Sequence, residues 1–341
     1  MPLVTISEES IRQAAQIISR GGLVAFPTET VYGLGADAFN PAALAKIFEA
    51  KGRPRFDPLI VHIAGIEVLE RVADIGLLDR AARKNLDTLT EIFWPGPLTL
   101  ILPKKNAVPD IATSGLPTVA VRLPAHDAAR RLIALSTGAV AAPSANPFGY
   151  LSPTRADHVN EMLSEKVDLI LDGGPAQVGL ESTVLDICHS PPRLLRPGGT
   201  PKEAIEALIG AAACTSATDR AADSRAMPSP GMLKSHYAPR TPLSVYDNAN
   251  AGALPDEDGS ALLFFDGDSR DRWLAKRRQE PKAALVEVLS ESGDMPEASA
   301  RLFELLHRLD RPGIGQIHVQ FAPDTGLGAA INDRLRRAAT R

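Results

Sequence analysis

The chain contains few cysteine and aromatic residues, and each shortage excludes a class of protein. Only Cys188 and Cys214 are present, without the C-x-x-C spacing of many metal and redox motifs. A disulfide scaffold is therefore excluded, and a reducing compartment is expected. Aromatic residues make up 5% of the chain, which disfavours a surface that binds RNA by stacking bases on side chains.

The chain also lacks a long apolar run and a strong net charge. No stretch approaches the roughly 18 consecutive apolar residues of a membrane span, and residues 1–5 begin no signal sequence. We therefore expect a cytoplasmic protein without membrane contact. The net charge is −4, so any basic site must be local. With 44% hydrophobic residues among 341, the chain is long enough for about two domains.

Helical and strand patterns alternate through residues 1–209. Strands are predicted at 23–26, 59–63, 98–102, 118–123, 139–142, 168–171, 183–187 and 193–196. Helices are predicted at 7–19, with Ser7 as cap, and at 41–51, 79–93, 126–136 and 155–164; a last helix opens with a capping box at Thr200 and Pro201 at its first position. Some strands follow one another too closely for a crossover helix, so the pattern predicts an α/β fold with a mixed sheet.

The composition changes after residue 209. Residues 210–240 are rich first in Ala, Ser, Thr and Asp and then in Pro and Gly, which predicts a linker. Strands predicted at 243–246, 261–265, 284–289 and 314–321 alternate with helices at 271–278, 297–309 and 328–339. We therefore predict a large domain at 1–209, a linker at 210–240 and a small α/β domain at 241–341.

Residues 23–62 suggest a nucleotide site. The predicted strand 23–26 stops at Pro27, which has no N–H to continue a ladder. The hydroxyls of Thr28 and Thr30 are therefore expected in an irregular turn at a sheet edge, where they can contact a ligand. The following helix ends in a loop held by Gly and Pro that carries three cations, Lys51, Arg53 and Arg55. A loop of this kind suits a polyphosphate.

Two other interpretations of this stretch exist. Residues 33–38 fit the pattern G-x-G-x-x-A of dinucleotide-binding folds, with Asp57 at about the right distance. In such folds the glycines follow the strand at once, whereas six residues separate Phe26 from Gly33 here, and Asn40 with Pro41 starts a new helix afterwards. We disfavour that interpretation. In the second alternative interpretation, the basic loop is only a solvated helix end without a ligand.

Further short motifs accompany this stretch. In chain order they are PTETVYGLG at 27–35, KGRP at 51–54, PLIVH at 58–62, TVAVR at 118–122, APSAN at 142–146, LEST at 180–183 and LRPG at 195–198. In this order and spacing the chain resembles the YrdC family of threonylcarbamoyl-AMP synthases. The motifs SPGM at 229–232 and HYAP at 236–239 resemble the interdomain segment of the long, two-domain form.

The resemblance implies a YrdC-like twisted mixed sheet followed by a Rossmann-like carboxyl-terminal domain. It implies condensation of L-threonine, bicarbonate and ATP to threonylcarbamoyl-AMP with release of pyrophosphate, the first step of tRNA N6-threonylcarbamoyladenosine formation. Mg²⁺ would arrive with ATP, the product would pass to a tRNA threonylcarbamoyl transferase, and a weak tRNA contact is expected. The carbamate that attacks the α-phosphorus is a weak nucleophile, so positioning and charge neutralisation would supply most of the catalysis.

The resemblance also implies the residues of the site. The threonine pocket would consist of Thr30, His62, Arg122 and Ser182, with Arg122 as the bidentate partner of the amino-acid carboxylate. ATP would contact Lys51, Arg53, Asp57, Thr118, Ser144, Arg196 and Tyr237. Of these, Lys51, Arg53 and Arg196 would act catalytically by neutralising phosphate charge. Tyr237 lies on the segment 232–239, which we expect to close over the site as a lid.

Several of these residues keep a second interpretation. Arg122 and Arg196 each end an apolar strand, where a cation without an anion is costly, so a functional role is favoured. His62 could instead be a satisfied core histidine. Glu29 and Glu181 are unassigned carboxylates, and either could position the amine or a metal. No protein-held metal site is predicted, because the seven histidines form no H-x-x-x-H pair or Cys/His cluster.

At Asp57 the chain differs from the family that it resembles, because many relatives carry Asn at this position, on the ATP side of the site. An added negative charge beside phosphates is unfavourable. Asp57 could pair with Arg53 or Arg55, reach the ATP-bound magnesium or turn away. We favour an arginine pair, since both arginines are close in sequence.

A function of another class, an RNA-binding or regulatory module, would use the same basic groove. Such a module should spread Lys, Arg and stacking aromatics over a wide face. The cations near these motifs are few and clustered, so the sequence favours the enzyme.

Overall fold

The structure is a computed structural model that describes residues 3–214, 227, 236–247, 254–277 and 280–340. The chain divides into two compact units. The first comprises Met1–Phe148, Pro153–Ala176 and Glu181–Met232, and the second comprises Gly149–Ser152, Gln177–Leu180 and Leu233–Arg341. Most of the predicted linker at 210–240, including residues 232–235 of the expected lid, lies outside the described residues.

The first unit is built on a mixed sheet, to which the described residues contribute eleven strands. In chain order they are β1 (Leu3–Thr5), β2 (Val24–Phe26), β3 (Gly33–Asp37), β4 (Ile60–Ile63), β5 (Leu98–Pro103), β6 (Thr118–Arg122), β7 (Ala139–Ala141), β8 (Leu169–Asp172), β9 (Thr183–Asp186), β10 (Arg193–Arg196) and β11 (Ala213–Cys214). Their spatial order is β1-β8-β2-β3-β7-β4-β6-β5-β9-β10-β11. Strand β6 pairs parallel with β4 and antiparallel with β5, which confirms the predicted mixed sheet.

Helices flank this sheet. They are α1 (Glu8–Ser19), α2 (Pro41–Lys51), α3 (Leu69–Val72), α4 (Arg80–Phe93), α5 (Asp110–Thr113), α6 (Asp127–Leu135), α7 (Ala156–Leu163) and α8 (Lys202–Ile209), with 3₁₀ turns at Ile66–Val68, Ile75–Leu77 and Ser164–Lys166. Six of these helices begin close to their predicted residues, whereas the short helices α3 and α5 were not predicted. The Ser7 hydroxyl accepts the Ser10 N–H at the start of α1, as a helix cap does. Apolar side chains pack on both faces of the sheet; Ile47 of α2 belongs to one core cluster and Ile18 of α1 to another.

Strands β1, β3 and β11 are absent from the sequence prediction. Strand β3 carries Gly33 and Gly35, which disfavour a strand by propensity, yet it pairs antiparallel with β2. A β-carbon on Gly35 would lie 2.6 Å from the Phe26 ring and 2.9 Å from Val140, so only glycine leaves room for that ring. Gly35 therefore serves strand packing, and both glycines lie inside a strand, which agrees with rejection of a dinucleotide loop. Strand β2 lies between β8 and β3, so the turn with Thr28 and Thr30 follows the carboxyl end of an interior strand.

The predicted capping box at the start of α8 is also wrong. The cap position is Pro201, it has no side-chain cap, and the helix begins at Lys202. Thr200 is used elsewhere, because its backbone N–H donates to the Thr183 hydroxyl at 3.0 Å and its carbonyl accepts that hydroxyl at 2.6 Å. Thr200 is therefore held by strand β9 before the helix starts.

The second unit is a small parallel α/β fold. Within the described residues its strands are β12 (Leu243–Tyr246), β13 (Ser260–Asp266), β14 (Leu285–Ser290) and β15 (Gln316–Gln320), in the spatial order β12-β15-β13-β14. Its helices are α9 (Gly267–Ala275), α10 (Met295–Leu309) and α11 (Leu327–Ala338). Helix α9 starts four residues earlier than predicted, because Asp266 caps it by accepting the Ser269 N–H at 2.6 Å.

Two short segments of the chain belong to the second unit although they lie far from it in sequence. The Asp310 carboxylate accepts the Tyr150 hydroxyl and the backbone N–H groups of Arg240 and Thr241. The His307 ring lies 3.1 Å from the Ser152 carbonyl. The Ser299 hydroxyl donates to the Val178 carbonyl at 2.6 Å. Helix α10 and the residue after it therefore hold segments 149–152 and 177–180.

Stability of the second unit should decline in mild acid, and His307→Gln should reduce that decline. Burial lowers the pKa of His307 to about 4. Between that value and the unfolded value of about 6.5, the unfolded chain binds the extra proton, so stability falls as the pH falls. From pH 7 to pH 5 this group should cost on the order of 2 kcal/mol of unfolding free energy. Glutamine keeps an N–H donor for Ser152 but does not titrate.

Urea unfolding of both proteins at pH 7 and pH 5 measures this effect. The variant should lose less unfolding free energy than the parent chain over that range. Equal losses in the two proteins would show that His307 is not responsible.

None of the helices in the described ranges combines the length and the apolar character that a membrane-spanning segment needs.

Candidate active site

Polar and charged side chains in the first unit lie at or near the ends of neighbouring strands. His62 of β4 and Arg122 of β6 are register partners in a parallel pair. Both are buried, with 3% of their surface exposed. In parallel strands such partners lie side by side at the same level, so the sheet brings two residues of the predicted threonine pocket together.

Arg122 is held by three groups of the protein. Its Nε donates to the Gly96 carbonyl at 3.1 Å and its Nη1 to the Thr30 hydroxyl at 2.8 Å. Its Nη2 lies 2.5 Å from Oε1 of Glu29, whose side chain is also buried. The guanidinium is therefore fixed in orientation, and its charge is balanced by a carboxylate that the sequence analysis left unassigned.

The turn after β2 presents Thr30 to this arginine. The Thr28 hydroxyl donates to the Val31 carbonyl at 2.6 Å and accepts the N–H groups of Thr30 and Val31. The hydroxyls of Thr28 and Thr30 lie 2.7 Å apart. Thr28 therefore shapes the turn, as a Ser/Thr turn does, and Thr30 faces the predicted pocket.

His62 is neutral at physiological pH. Burial, followed by the charge of Arg122, lowers the pKa of His62 to about 3. Its ring meets Phe26 edge to face at a centroid distance of 6.5 Å. Among the described residues, its Nδ1 is buried without a hydrogen-bond partner. A neutral imidazole with an open nitrogen can bind either a donor or an acceptor of a ligand.

Ser182 and Arg196 form a second cluster at the adjacent strands β9 and β10. Arg196 donates from Nη2 and Nε to the Ser182 carbonyl, at 2.9 and 3.2 Å. The Ser182 hydroxyl lies 2.7 Å from that of Thr99, a fully buried residue of β5. A β-carbon on Gly198 would lie 2.4 Å from the Glu181 carbonyl oxygen, so this glycine lets the two chain segments touch. Thr99 is not among the residues predicted for the site, because one threonine in an apolar strand carries no signal of its own.

Lys51 is the buried cation at the end of α2. Its Nζ donates to the carbonyls of Ser144 at 2.6 Å and of Asn146. Burial, followed by the charge of Arg53, holds the pKa of Lys51 well below its usual range, and Asp57 acts in the opposite direction. An anion that binds here would favour the protonated ammonium, as expected of a phosphate-binding lysine.

Arg53 and Asp57 form a buried ion pair. Nη2 of Arg53 lies 2.9 Å from the Asp57 carboxylate, and both side chains are at most 4% exposed. Arg53 also donates to the backbone carbonyls of Asp57 and Pro58. The favoured interpretation of Asp57, an arginine pair, is confirmed. Arg55 is exposed and takes no part in that pair.

We expect Asp57→Asn to leave the magnesium concentration for half-maximal turnover unchanged, because the carboxylate is bound by Arg53. ATP affinity should hold or improve, since a negative charge beside the phosphates is removed. The free energy of unfolding should fall by about 1–3 kcal/mol, because Arg53 loses its charged partner. Magnesium titration at fixed ATP, with urea unfolding in parallel, measures these effects. A clear rise in the magnesium requirement would show that Asp57 serves the metal.

The remaining predicted ATP contacts lie in different places. Thr118 and Ser144 belong to the first unit and are partly exposed, and Ser144 forms an isolated bridge with Gly33. Tyr237 belongs to the second unit, where its ring lies 5.7 Å from that of Phe303 and 5.1 Å from the guanidinium carbon of Arg334. Its contact with ATP stays a prediction.

The described residues offer neither a reactive cysteine thiol nor a cluster of metal ligands. Partial burial, followed by the charge of Asp186, raises the pKa of Cys188 to about 12, so its thiol is not a ready nucleophile. His189 is bonded to Asp186 at 2.7 Å. Within the described ranges, no group of three or more His, Cys, Asp or Glu side chains could hold a metal ion.

Two sequence profiles of known families cover most of the chain. The profile of the Sua5, YciO and YrdC family, described as "Telomere recombination", matches residues 16–198. The profile described as "Threonylcarbamoyl-AMP synthase, C-terminal domain" matches residues 200–340.

Curated relatives and a solved structure match along the whole length. A threonylcarbamoyl-AMP synthase of Pyrococcus abyssi (strain GE5 / Orsay) is 42% identical over 343 residues, covering 98% of this chain and 95% of the relative. One of Bacillus subtilis (strain 168) is 40% identical over 341 residues, covering 98% and 94%. The crystal structure of P. abyssi Sua5 complexed with L-threonine matches with a TM-score of 0.87 at 40% identity, covering 99% of this chain and 98% of that one.

Proposed function

The chain belongs to the Sua5/YrdC family of threonylcarbamoyl-AMP synthases, and on that premise we propose that it condenses L-threonine, bicarbonate and ATP to threonylcarbamoyl-AMP and pyrophosphate. The observation that carries the proposal is the fixed, buried Arg122, with neutral His62 beside it on the neighbouring strand. A buried guanidinium with remaining donors suits the carboxylate of an amino acid. The P. abyssi relative was solved in complex with L-threonine.

The first chemical step joins nitrogen to carbon. The threonine ammonium loses a proton, its nitrogen attacks the carbon of bicarbonate, and water leaves, which gives the carbamate. Arg122, Thr30 and Ser182 hold and orient the amino acid for this step. Holding two reactants together can supply effective molarities of about 10⁵–10⁸ M, so orientation is a sufficient role for these side chains.

The second step joins the carbamate to AMP. A carbamate oxygen attacks the α-phosphorus, and the bond between that phosphorus and the bridging oxygen to the β-phosphate breaks, so pyrophosphate leaves. Lys51, Arg53 and Arg196 neutralise the negative charge that shifts onto the phosphate oxygens. Magnesium enters as part of the MgATP substrate, since Asp57 on this side is bonded to Arg53. No covalent enzyme intermediate is needed.

The product is a reactive mixed anhydride, and a tRNA threonylcarbamoyl transferase would consume it.

The function is tested by measuring pyrophosphate release without RNA, while each substrate is omitted in turn. Release should require ATP, L-threonine and bicarbonate together. An RNA-binding or regulatory module would release none, and release independent of L-threonine would contradict the proposed reaction.

A further inference from the structure

Glu29 is a buried carboxylate of the site that the steps above do not use. We propose that Glu29 receives the ammonium group of the substrate, so that the Glu29–Arg122 pair binds the zwitterion of an α-amino acid at both ends. The inference rests on the proposed function, because it takes L-threonine as the ligand. It assigns to Glu29 the recognition of the amino group.

One oxygen of Glu29 is used by the protein and the other is not. Oε1 lies 2.5 Å from Nη2 of Arg122. Oε2 is buried and has no hydrogen-bond partner among the described residues. Buried carboxylate oxygens are normally hydrogen-bonded, because desolvation without a partner is costly. A buried carboxylate oxygen without a partner beside a substrate pocket indicates that the bound ligand supplies the hydrogen-bond donor.

Within the described part of the chain, Arg122 has unused hydrogen-bond donors, as Glu29 has an unused acceptor. Its contacts with Gly96, Thr30 and Glu29 use three of its five N–H groups, counted over the described residues. Two N–H groups therefore remain for a carboxylate. A buried pair with spare donors on the cation and a spare acceptor on the anion is complementary to a ligand that carries both charges.

The charge balance points to the same ligand. Arg122 and Glu29 sum to zero, and a zwitterion adds no net charge to the pocket. A carboxylate without an amine would leave one uncompensated negative charge in a buried site, which is costly. The pair should therefore select amino acids over hydroxy acids of the same shape.

The histidines around the pair supply no competing cation. His62 stays neutral, because burial and Arg122 lower its pKa to about 3. Burial also lowers the pKa of His126, against the opposing effect of Glu29 and Asp127. With both rings neutral near pH 7, the substrate ammonium is the cation that pairs with Oε2 of the Glu29 carboxylate.

Binding of two ligands to two proteins tests the inference. L-Threonine and (R)-3-hydroxybutanoate, which lacks only the amino group, are titrated by calorimetry into the full-length chain and its Glu29→Gln variant. The variant should bind L-threonine about 10–100-fold more weakly, the scale of one charge-assisted hydrogen bond. It should bind the hydroxy acid equally well or better, because Arg122 is no longer neutralised. Asp256→Asn, which alters an acid–arginine pair of the second unit, should leave both affinities unchanged.

Other outcomes would overturn the inference. Equal losses for both ligands would mean that Glu29 only orients Arg122, and no loss for either would mean that it does not face the ligand. If the glutamine variant does not fold, Glu29→Asp replaces it. This variant keeps the negative charge but moves the carboxylate away from the ligand. Its affinity for L-threonine should then fall more than its affinity for the hydroxy acid. Failure of the parent chain to bind L-threonine would instead overturn the proposed function itself.

Discussion

Replacing Arg122 by alanine is expected to lower threonine-dependent turnover by about 10²–10³-fold, the scale of removing one strong polar contact from a reacting complex. The arginine is fixed by Gly96, Thr30 and Glu29 and is the proposed anchor of the substrate carboxylate. ATP binding should largely be kept, because Lys51, Arg53 and Arg196 are untouched. Steady-state kinetics with varied L-threonine, together with ATP titration, measures both effects.

Loss of Arg122 also leaves Glu29 buried without its charged partner, which can cost about 3–5 kcal/mol of stability. Arg122→Lys is the control, because lysine keeps the positive charge near Glu29 but cannot bind a carboxylate through two parallel N–H groups. It should unfold close to the parent chain and still lose at least about tenfold in turnover. A folded Arg122 variant with normal turnover would remove Arg122 from the site.

Lys51→Met is expected to lower turnover by about 10²–10³-fold while changing the free energy of unfolding by no more than about 2 kcal/mol. Its low pKa shows that the charged form is disfavoured before an anion binds. Methionine fills a similar volume without that cost but cannot neutralise phosphate charge. Turnover, ATP affinity and urea unfolding are measured on the same preparation.

Lys46→Met provides the matched control for Lys51. Lys46 lies on the same helix, and its Nζ likewise donates to a backbone carbonyl, that of Gly21, at 2.7 Å. This variant should lose a lysine–carbonyl bond without losing turnover. If both variants lost turnover equally, Lys51 would act through the helix and not through ATP.

Elements with strong local signals could be predicted from the sequence. Helix α2 begins at Pro41 after the Asn40 cap and ends at Lys51, as predicted, because cap and terminator both lie in the local sequence. Strand β3 could not be predicted, because its Gly35 is required by a ring on the neighbouring strand. Helix α8 begins after Pro201 because Thr200 is bonded to Thr183, a contact seventeen residues away in sequence.

The same contrast between local signals and contacts distant in sequence applies to the site. The pairing of Asp57 with Arg53 could be favoured from sequence, because only three residues separate them on one loop. The pairing of Glu29 with Arg122 joins residues 93 apart in the chain, so the sequence left Glu29 unassigned. Thr99 meets Ser182 through the parallel pairing of β5 with β9, which no local pattern indicates.

The most direct test follows ¹⁴C from labelled bicarbonate and identifies the nucleotide products in an RNA-free reaction with ATP and L-threonine. Attack on the α-phosphorus predicts that labelled carbon enters an AMP-linked product and that one pyrophosphate appears for each labelled molecule. ADP and inorganic phosphate in place of pyrophosphate, or pyrophosphate without labelled product, would contradict the account.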